Sequence, residues 1–341
     1  LLLVFPGAIY STLDVANGYL RALQKHEDIR LFTFRYDKAL TYNDYAQKFM
    51  FGKDFKQENV VASASDDLLN KILKCQPDFV LFISGIGFPT LTWDYVKNLQ
   101  EDLKKPFKTA VILTESPYVE QWEKGILERV NVAFSTDYGI IPEYKEVNQN
   151  LFYVKHAYDP VVHYRADNPR ENVFMVGTGF PERQKLLEQV DWEDSLELYG
   201  NWMYMGDSPL QRYLKGSNLK NEETAQKYRE CKIALNIFRT VQWPDLNPKF
   251  IEPNSAKSLS PRCYEAMACG AMLLTDWREE LDTLPKDSFV LWGDAKDLED
   301  KVKYYLSHDE ERTRIAENGY TWVQGETFDK RINEILEKLW H

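Results

Sequence analysis

Cysteines and long apolar runs are both scarce in this sequence. Four cysteines occur in 341 residues and none stands in a CxxC pair, which argues against a disulfide framework or a structural zinc site. No apolar run approaches the roughly 18 residues that a membrane-spanning helix needs, and no basic region precedes the apolar start Leu1–Phe5. We therefore expect buried free thiols in a cytoplasmic protein without a membrane span or an export signal.

Basic residues are too few to balance the acidic ones. The chain has 42 basic and 53 acidic residues and a formal charge of −11, yet residues 1–170 are nearly neutral. This distribution argues against non-specific binding of the whole molecule to nucleic acid. The nearly neutral first half is still compatible with a local basic patch.

The order of apolar segments predicts an α/β protein. Short β-branched or aromatic runs alternate with amphipathic segments of helical length, as in parallel sheets with crossover helices. The length suggests two domains, so we expect two doubly wound, Rossmann-like domains. The predicted strands are Leu1–Phe5, Ile29–Arg35, Phe79–Ser84, Thr109–Leu113, Val132–Ser135, Leu151–Val154, Val173–Val176, Leu196–Tyr199, Ile233–Ile237, Met272–Leu274 and Phe289–Leu291.

The polar stretch Arg165–Asn172 predicts a linker between the two domains. We expect an N-terminal domain over residues 1–165 and a second domain over residues 171–325. Two segments, Lys38–Ser63 and Thr240–Ser260, are predicted to be irregular insertions. Long insertions in compact domains are usually functional or disordered.

Residues 258–276 are the most informative segment. Ser260 is predicted to cap a helix whose first turn holds Pro261, and Gly270 ends that helix before the next strand. The N–H groups at such a helix start, at the carboxyl edge of a parallel sheet, suit a diphosphate. Glu265, on the second turn, can accept hydrogen bonds from ribose hydroxyls.

This segment resembles the donor-site signature of GT-B glycosyltransferases, in particular the spore-maturation CgeB-like group related to the retaining family-four enzymes. The residues that carry the resemblance are Arg262, Glu265, Ala266, Cys269, Gly270, Thr275 and Asp276. Other segments that are similar to the group are residues 176–183, 233–239 and 327–331 and, in the first half, 115–117, 134–137 and 154–160.

The resemblance implies a GT-B architecture, with two domains that face each other across a cleft. The second domain would hold a nucleotide-sugar donor, expected to be a UDP-sugar, and the first an acceptor. The helix Phe328–Trp340, within residues 326–341, would pack back on the first domain. No tightly bound cofactor is implied.

The resemblance also assigns the donor residues. Glu265 would bind the ribose, and Arg183, which follows the turn with Gly177 and Gly179, would face the diphosphate. A fixed guanidinium can neutralise leaving-group charge without a metal, and no DxD-type pair is seen. The remaining donor residues implied are Asn236, Arg239, Lys257, Ser260 and Arg262.

Catalysis on the acceptor side is assigned to Glu115 and His156, each of which follows a predicted strand. Transfer with retention is expected from the resemblance. Retaining relatives often carry a glutamate eight residues before the ribose-binding one, and Lys257 stands at that position here. The stereochemical outcome is therefore open.

The insertion Lys38–Ser63 contains the predicted acceptor-side residues Tyr42, Tyr45, Lys48 and Lys53. Aromatic faces with cations between them suit a sugar, a base or a polyanion. The alternative is a small hydrophobic cluster under a loop. In the other insertion, Trp243 and Phe250 are predicted to close over the cleft.

Each assignment has a simpler alternative. Glu265 would be a surface carboxylate paired with Arg262, the glycines would serve only a turn, and His156 would be a packed linker histidine. Arg183 and Arg239 would form surface salt bridges. The alternative functions are a nucleotide-sugar epimerase and a non-catalytic nucleotide- or glycan-binding module. A glycan, a protein, a small molecule and a hydroxylated DNA base are all open as acceptors, and nucleic acid is expected in no other role.

Overall fold

The computed structural model describes residues 1–7, 11–202, 205–240 and 256–340. These residues form two compact units, each built around a six-stranded parallel sheet. Within the described ranges, unit 1 comprises residues 1–155, 256–257 and 328–340, and unit 2 comprises residues 156–240 and 258–327. The α/β fold class predicted from the sequence is confirmed.

The inner strands of the unit 1 sheet are largely apolar, because helices cover both faces of a parallel sheet, whereas the edge strand β2 is only partly buried. The strand order is β2-β1-β3-β4-β5-β6, so the order reverses between β1 and β3. The six strands predicted for this half are present: β1 (Leu2–Phe5), β2 (Phe32–Arg35), β3 (Phe79–Ile83), β4 (Lys108–Leu113), β5 (Val132–Ser135) and β6 (Leu151–Tyr153).

Helices of unit 1 pack against this sheet. They are α1 (Ser11–Leu23), α2 (Tyr36–Phe51), α3 (Gln57–Cys75), α4 (Thr90–Asp102), α5 (Glu120–Leu127) and α6 (Ile141–Lys145), followed near the C-terminus by one more helix described below.

The prediction that Lys38–Ser63 is irregular is wrong. Helix α2, a short 3₁₀ turn at Gly52–Asp54 and the first turns of α3 account for most of this segment. Gly52 ends α2 with a φ of 53°, a conformation that favours glycine. The apolar residues of α2 are divided between a packed face and an exposed face, so they do not form the single stripe that marks an amphipathic helix.

The sheet of unit 2 has the strand order β12-β11-β10-β7-β8-β9, which reverses between β7 and β10. The five strands predicted for this half are present, and a sixth, β9, was not predicted because it is short and largely exposed. The strands are β7 (Glu171–Val176), β8 (Leu196–Tyr199), β9 (Leu214–Gly216), β10 (Cys231–Asn236), β11 (Met272–Thr275) and β12 (Val290–Leu291).

In its described part, unit 2 also contains five helices and two 3₁₀ turns, the latter at Pro209–Tyr213 and Glu279–Thr283. Its core includes Trp192 and Leu274, both almost fully buried. The helices are α7 (Pro181–Leu187), α8 (Asn221–Glu230), α9 (Pro261–Ala268), α10 (Ala295–Ser307) and α11 (Asp309–Val323).

The last helix, α12 (Phe328–Trp340), belongs to unit 1 and packs against α1. The ring of Phe328 lies 4.9 Å from the ring of Tyr19. A Cβ atom at Gly18 would lie 2.3 Å from the Phe328 ring, so this contact depends on glycine. Lys25 and Asp329 add an ion pair at 2.6 Å.

All four cysteines are free thiols, and only Cys75 is half-buried while the others are buried. Across the ranges that the structure describes, no helix combines the length and the apolar character needed to cross a lipid bilayer.

Candidate functional site

The carboxyl edge of the unit 2 sheet holds most of the predicted donor residues. Open α/β sheets bind ligands outside the carboxyl ends of the strands, where the strand order reverses. In unit 2 this position lies between β7 and β10. Gly177 and Gly179 follow β7, Asn236 is the last residue of β10, and Arg239 comes shortly after it. The structure therefore brings these four residues to one edge.

The glycine turn after β7 is required by close packing. A Cβ atom at Gly177 would lie 2.8 Å from Nη1 of Arg262, and one at Gly179 would lie 2.2 Å from the Trp202 ring. Gly200, with a φ of +115°, lies against the backbone of Gly177. A Cβ atom at Gly200 would lie 2.1 Å from the Gly177 carbonyl oxygen. The turn thus has a structural reason for its glycines, and it lets Arg262 approach the end of β7.

Ser260 stands at the N-cap position of α9, but its side chain does not cap the helix. The prediction of a side-chain cap is therefore wrong. The hydroxyl instead donates to Oδ1 of Asn236 at 3.2 Å, and the amide of Asn236 donates to the Thr275 hydroxyl at 2.9 Å. This chain links the start of α9 to the carboxyl ends of β10 and β11.

Glu265 lies half-buried on α9. Within the described part of the chain, its carboxylate has no ion pair or hydrogen bond. The alternative pairing with Arg262 is not seen, because the Arg262 guanidinium donates to the Val176 carbonyl at 3.0 Å. Burial, helped by the nearby Glu265 charge, raises the pKa of the Tyr228 hydroxyl well above its usual value.

Two predicted donor arginines meet at one aromatic ring. The guanidinium carbons of Arg183 and Arg239 lie 5.2 and 5.1 Å from the centre of the Phe180 ring. Arg183 is buried, and it donates to the carbonyls of Thr178 at 2.9 Å and Ile237 at 2.6 Å. It therefore joins the segments that follow β7 and β10, whereas the side chain of Arg239 is half-buried.

Charged side chains hold the backbone of residues 237–239. While Arg183 binds the carbonyl of Ile237, the N–H of Phe238 donates to the Asp276 carboxylate at 2.9 and 3.2 Å. Arg278 donates to the Arg239 carbonyl at 2.8 Å. Burial raises the pKa of Asp276 to about 6. The role of Arg278 was not predicted, because it depends on a segment far away in the sequence.

Lys257 contacts residues of unit 1. Its backbone N–H donates to the two carboxylate oxygens of Asp137 at 3.2 and 2.9 Å. Its ammonium group lies 5.8 Å from the centre of the Tyr138 ring. Of the predicted catalytic residues besides Arg183, Glu115 lies in unit 1 after β4 and His156 lies in unit 2, and both are half-buried.

A buried carboxyl group that the sequence did not reveal lies near Glu115. Glu123 is fully buried on α5, and its Oε2 accepts hydrogen bonds from the Ser116 hydroxyl at 2.8 Å and the Tyr144 hydroxyl at 2.6 Å. Burial raises the pKa of Glu123 to about 7, and the negative charges of Glu115 and Asp137 add to the effect.

The reversal of strand order in unit 1 also has an unusual residue beside it. Ser84 follows β3 with a φ of +67°, and its buried hydroxyl has no hydrogen-bond partner among the residues that the structure describes. Such strain is uncommon for a residue other than glycine and is concentrated at functional sites. Sequence patterns do not reveal it.

The predicted acceptor-side residues Tyr42, Tyr45 and Lys48 lie exposed on α2. The Lys53 side chain lies outside the described structure, as do Trp243 and Phe250. In the part of the chain that is described, no group of three His, Cys, Asp or Glu side chains could hold a metal ion. Two cavities of about 480 and 490 Å³ in unit 2 are lined in part by residues 165–174 and contain no predicted site residue.

Comparisons with known proteins agree with this arrangement. Residues 182–337 match the family model described as glycosyl transferase-like. Spore protein CgeB of Bacillus subtilis (strain 168) is 24% identical over 312 residues, which cover 86% of this chain and 93% of that protein. The predicted resemblance is confirmed, and the matched region is a glycosyltransferase domain.

Solved structures support the same fold. An alpha-glucosyltransferase in complex with UDP-glucose and DNA containing an abasic site aligns with a TM-score of 0.65 at 12% identity, covering 100% of this chain and 98% of that one. HepE from Anabaena in complex with UDP-glucose gives 0.58 at 11% identity, covering 98% of each chain. Sucrose-phosphate synthase from Thermosynechococcus elongatus gives 0.55 at 13% identity, covering 82% and 78%. The fold is that of GT-B glycosyltransferases.

Proposed function

We propose that this protein transfers a sugar from a UDP-sugar to an acceptor hydroxyl. The observation that carries the proposal is the meeting of the glycine turn, the half-buried Arg239 and the start of α9 at the reversal of strand order in unit 2. Glu265 lies on the same helix without a partner among the described side chains. The presence of UDP-glucose in two proteins of similar fold supports the choice of nucleotide.

In the proposed donor site, Glu265 accepts hydrogen bonds from the ribose hydroxyls. The guanidinium of Arg239, supported by the charge of Arg183, stabilises the diphosphate as it leaves. Arg262 holds the turn with Gly177 and Gly179 against α9, so that the start of α9 faces the phosphates. We also propose that the transfer retains the anomeric configuration.

The proposed acceptor side is unit 1. Glu115 follows β4 and is a candidate for the base that accepts the proton of the acceptor hydroxyl. His156 is the second candidate. Lys257 is proposed to act on the acceptor side as well, because its contacts are with Asp137 and Tyr138.

The Glu265→Ala variant is expected to bind UDP more weakly by about one to two decades in Kd, because a hydrogen bond to a charged group contributes about 1.5–3 kcal/mol. Calorimetry with UDP and 2′-deoxy-UDP measures this. The wild-type protein should prefer UDP, and Glu265→Ala should lose the preference. Glu310→Ala, which removes an exposed carboxylate of α11, is the matched control. If the wild type and Glu265→Ala prefer UDP over 2′-deoxy-UDP to the same extent, the ribose contact is disproved.

Donor turnover is expected to continue in excess EDTA. Where a metal ion assists transfer, it bridges the phosphate oxygens and chelation abolishes activity. Here the guanidinium groups near Phe180 and the N–H groups of α9 are proposed to stabilise the phosphate oxygens instead of a metal ion. The measurement is UDP release from UDP-glucose with EDTA, and then with added magnesium or manganese. Activity that disappears in EDTA and returns with either ion would contradict the proposal.

A further inference from the structure

Helix α2 carries an exposed aromatic surface. Tyr42, Tyr45 and Phe49 are 72%, 71% and 92% exposed. Their spacing of three and four residues places them on one face of the helix, along about 10 Å at 1.5 Å per residue. We call these three side chains the α2 aromatic face. Three large exposed rings on one helix face form a candidate interaction site, since soluble proteins rarely expose large apolar patches without a function.

The opposite side of α2 is already packed. The amide of Asn43 donates to the Asp67 carboxylate at 2.9 Å, and the ring of the buried Tyr36 stacks on Phe88 with 4.1 Å between the ring centres. These two contacts hold helix α2 on unit 1, and neither involves the α2 aromatic face. The exposed rings need another explanation.

The charge around the α2 aromatic face favours a neutral partner. Residues 36–59 contain four lysines and four carboxylates. The ammonium of Lys48 lies 2.8 Å from the Asp44 carboxylate and 5.1 Å from the centre of the Phe55 ring. A polyanion such as nucleic acid binds through an excess of cations, and an anionic membrane surface is recognised in the same way. Because Arg35 already neutralises the buried Asp37 at 2.6 Å, the segment has a surplus of one lysine, far fewer than the cluster of about four to eight cations that such partners require.

We propose that the α2 aromatic face binds a neutral glycan, which is the acceptor of the transfer. This inference rests on the proposed function and identifies its acceptor class. A tyrosine offers an apolar ring face together with a hydroxyl that donates and accepts, which matches the C–H surfaces and hydroxyls of a sugar. The rings follow one another at about 4.5 and 6 Å along the helix, so that successive sugar units can each meet a ring.

The test is the mobility of the full chain in native gels that contain dextran, mannan or mixed-linkage β-glucan. The triple variant Tyr42→Ala/Tyr45→Ala/Phe49→Ala removes the face. The double variant Leu91→Ala/Tyr95→Ala removes exposed apolar side chains of α4 and is the matched control. Tyr42→Phe/Tyr45→Phe keeps the rings and removes only hydroxyls. Heparin, duplex DNA and vesicles of phosphatidylcholine with and without phosphatidylserine serve as the competing partners.

We expect at least one neutral polysaccharide to retard the wild-type protein, and the triple variant to bind it about tenfold more weakly or worse. The α4 control should behave as wild type, and the phenylalanine variant should keep most of its binding. The proposal is overturned if no neutral polysaccharide retards the protein, if the triple variant is retarded equally, or if only heparin, DNA or vesicles bind through the face. Calorimetry with UDP on the same samples tests the donor site separately. A failure of the proposed donor site is therefore distinguished from a failure of the proposed glycan site on α2.

Discussion

Arg239→Ala is expected to lower the rate of UDP release from UDP-glucose about a hundredfold or more, while the Kd for UDP changes much less. Loss of one donor aimed at developing charge costs this much in rate, because the contact is stronger in the transition state than in the ground state. The backbone around Arg239 stays held in the variant, because Arg278 donates to the Arg239 carbonyl and Asp276 accepts from the Phe238 N–H, and neither contact uses the Arg239 side chain. Initial rates and calorimetry measure the two quantities.

Two further variants separate this role from simple loss of positive charge. Arg314→Ala removes an exposed guanidinium of α11 and should leave the rate unchanged. Arg183→Lys keeps a charge but cannot make both contacts to the Thr178 and Ile237 carbonyls, so it should lower stability together with the rate. A normal rate in Arg239→Ala would remove this arginine from the proposed mechanism and leave Arg183 as the cation to test.

Every strand except β9 could be predicted, because each of the others is a short, largely apolar run in a sheet that helices cover. The β4 sequence Lys108–Leu113, for example, is buried at five of its six positions. Helix α2 could not be predicted in the same way. Its Tyr36 is buried in the core while Tyr42 and Tyr45 are exposed. The apolar residues of α2 therefore do not mark one buried face of a helix.

The position of the predicted donor residues at the carboxyl edge of the unit 2 sheet could be predicted in outline, because they follow strands and a helix start in the sequence. The hydrogen bonds differ from the predicted ones where they depend on residues that are distant in the sequence. Ser260 was expected to cap α9, yet Asn236, which is 24 residues away, accepts its hydroxyl hydrogen. Glu123 was not identified, because its burial depends on Ser116 and Tyr144 and no local pattern joins the three.

The buried carboxyl of Glu123 leads to an expected dependence of stability on pH. Its pKa is about 7 in the folded protein, against an ordinary value of 4.5. Between these values the unfolded chain has lost the proton that the folded chain keeps, so the free energy of unfolding falls as the pH rises. This difference between the folded and unfolded pKa lowers the free energy of unfolding by roughly 3 kcal/mol between pH 4.5 and pH 8. Protonated Glu123 therefore favours the folded state, and its ionisation disfavours it.

Glu123→Gln is expected to remove this part of the pH dependence, because the amide oxygen can still accept from Ser116 and Tyr144 and nothing there titrates. Hydrogen exchange of the buried amides of β4 and β5 at several pH values reports the local free energy of opening in unit 1. The variant should match the wild type near pH 4.5 and exceed it in stability by roughly 3 kcal/mol at pH 8. Glu146→Gln, at an exposed carboxyl after α6, should follow the wild type throughout. If Glu123→Gln instead loses stability equally at both pH values, the carboxyl acts only as a hydrogen-bond acceptor, and the charge repulsion from Glu115 and Asp137 has no energetic consequence for unit 1.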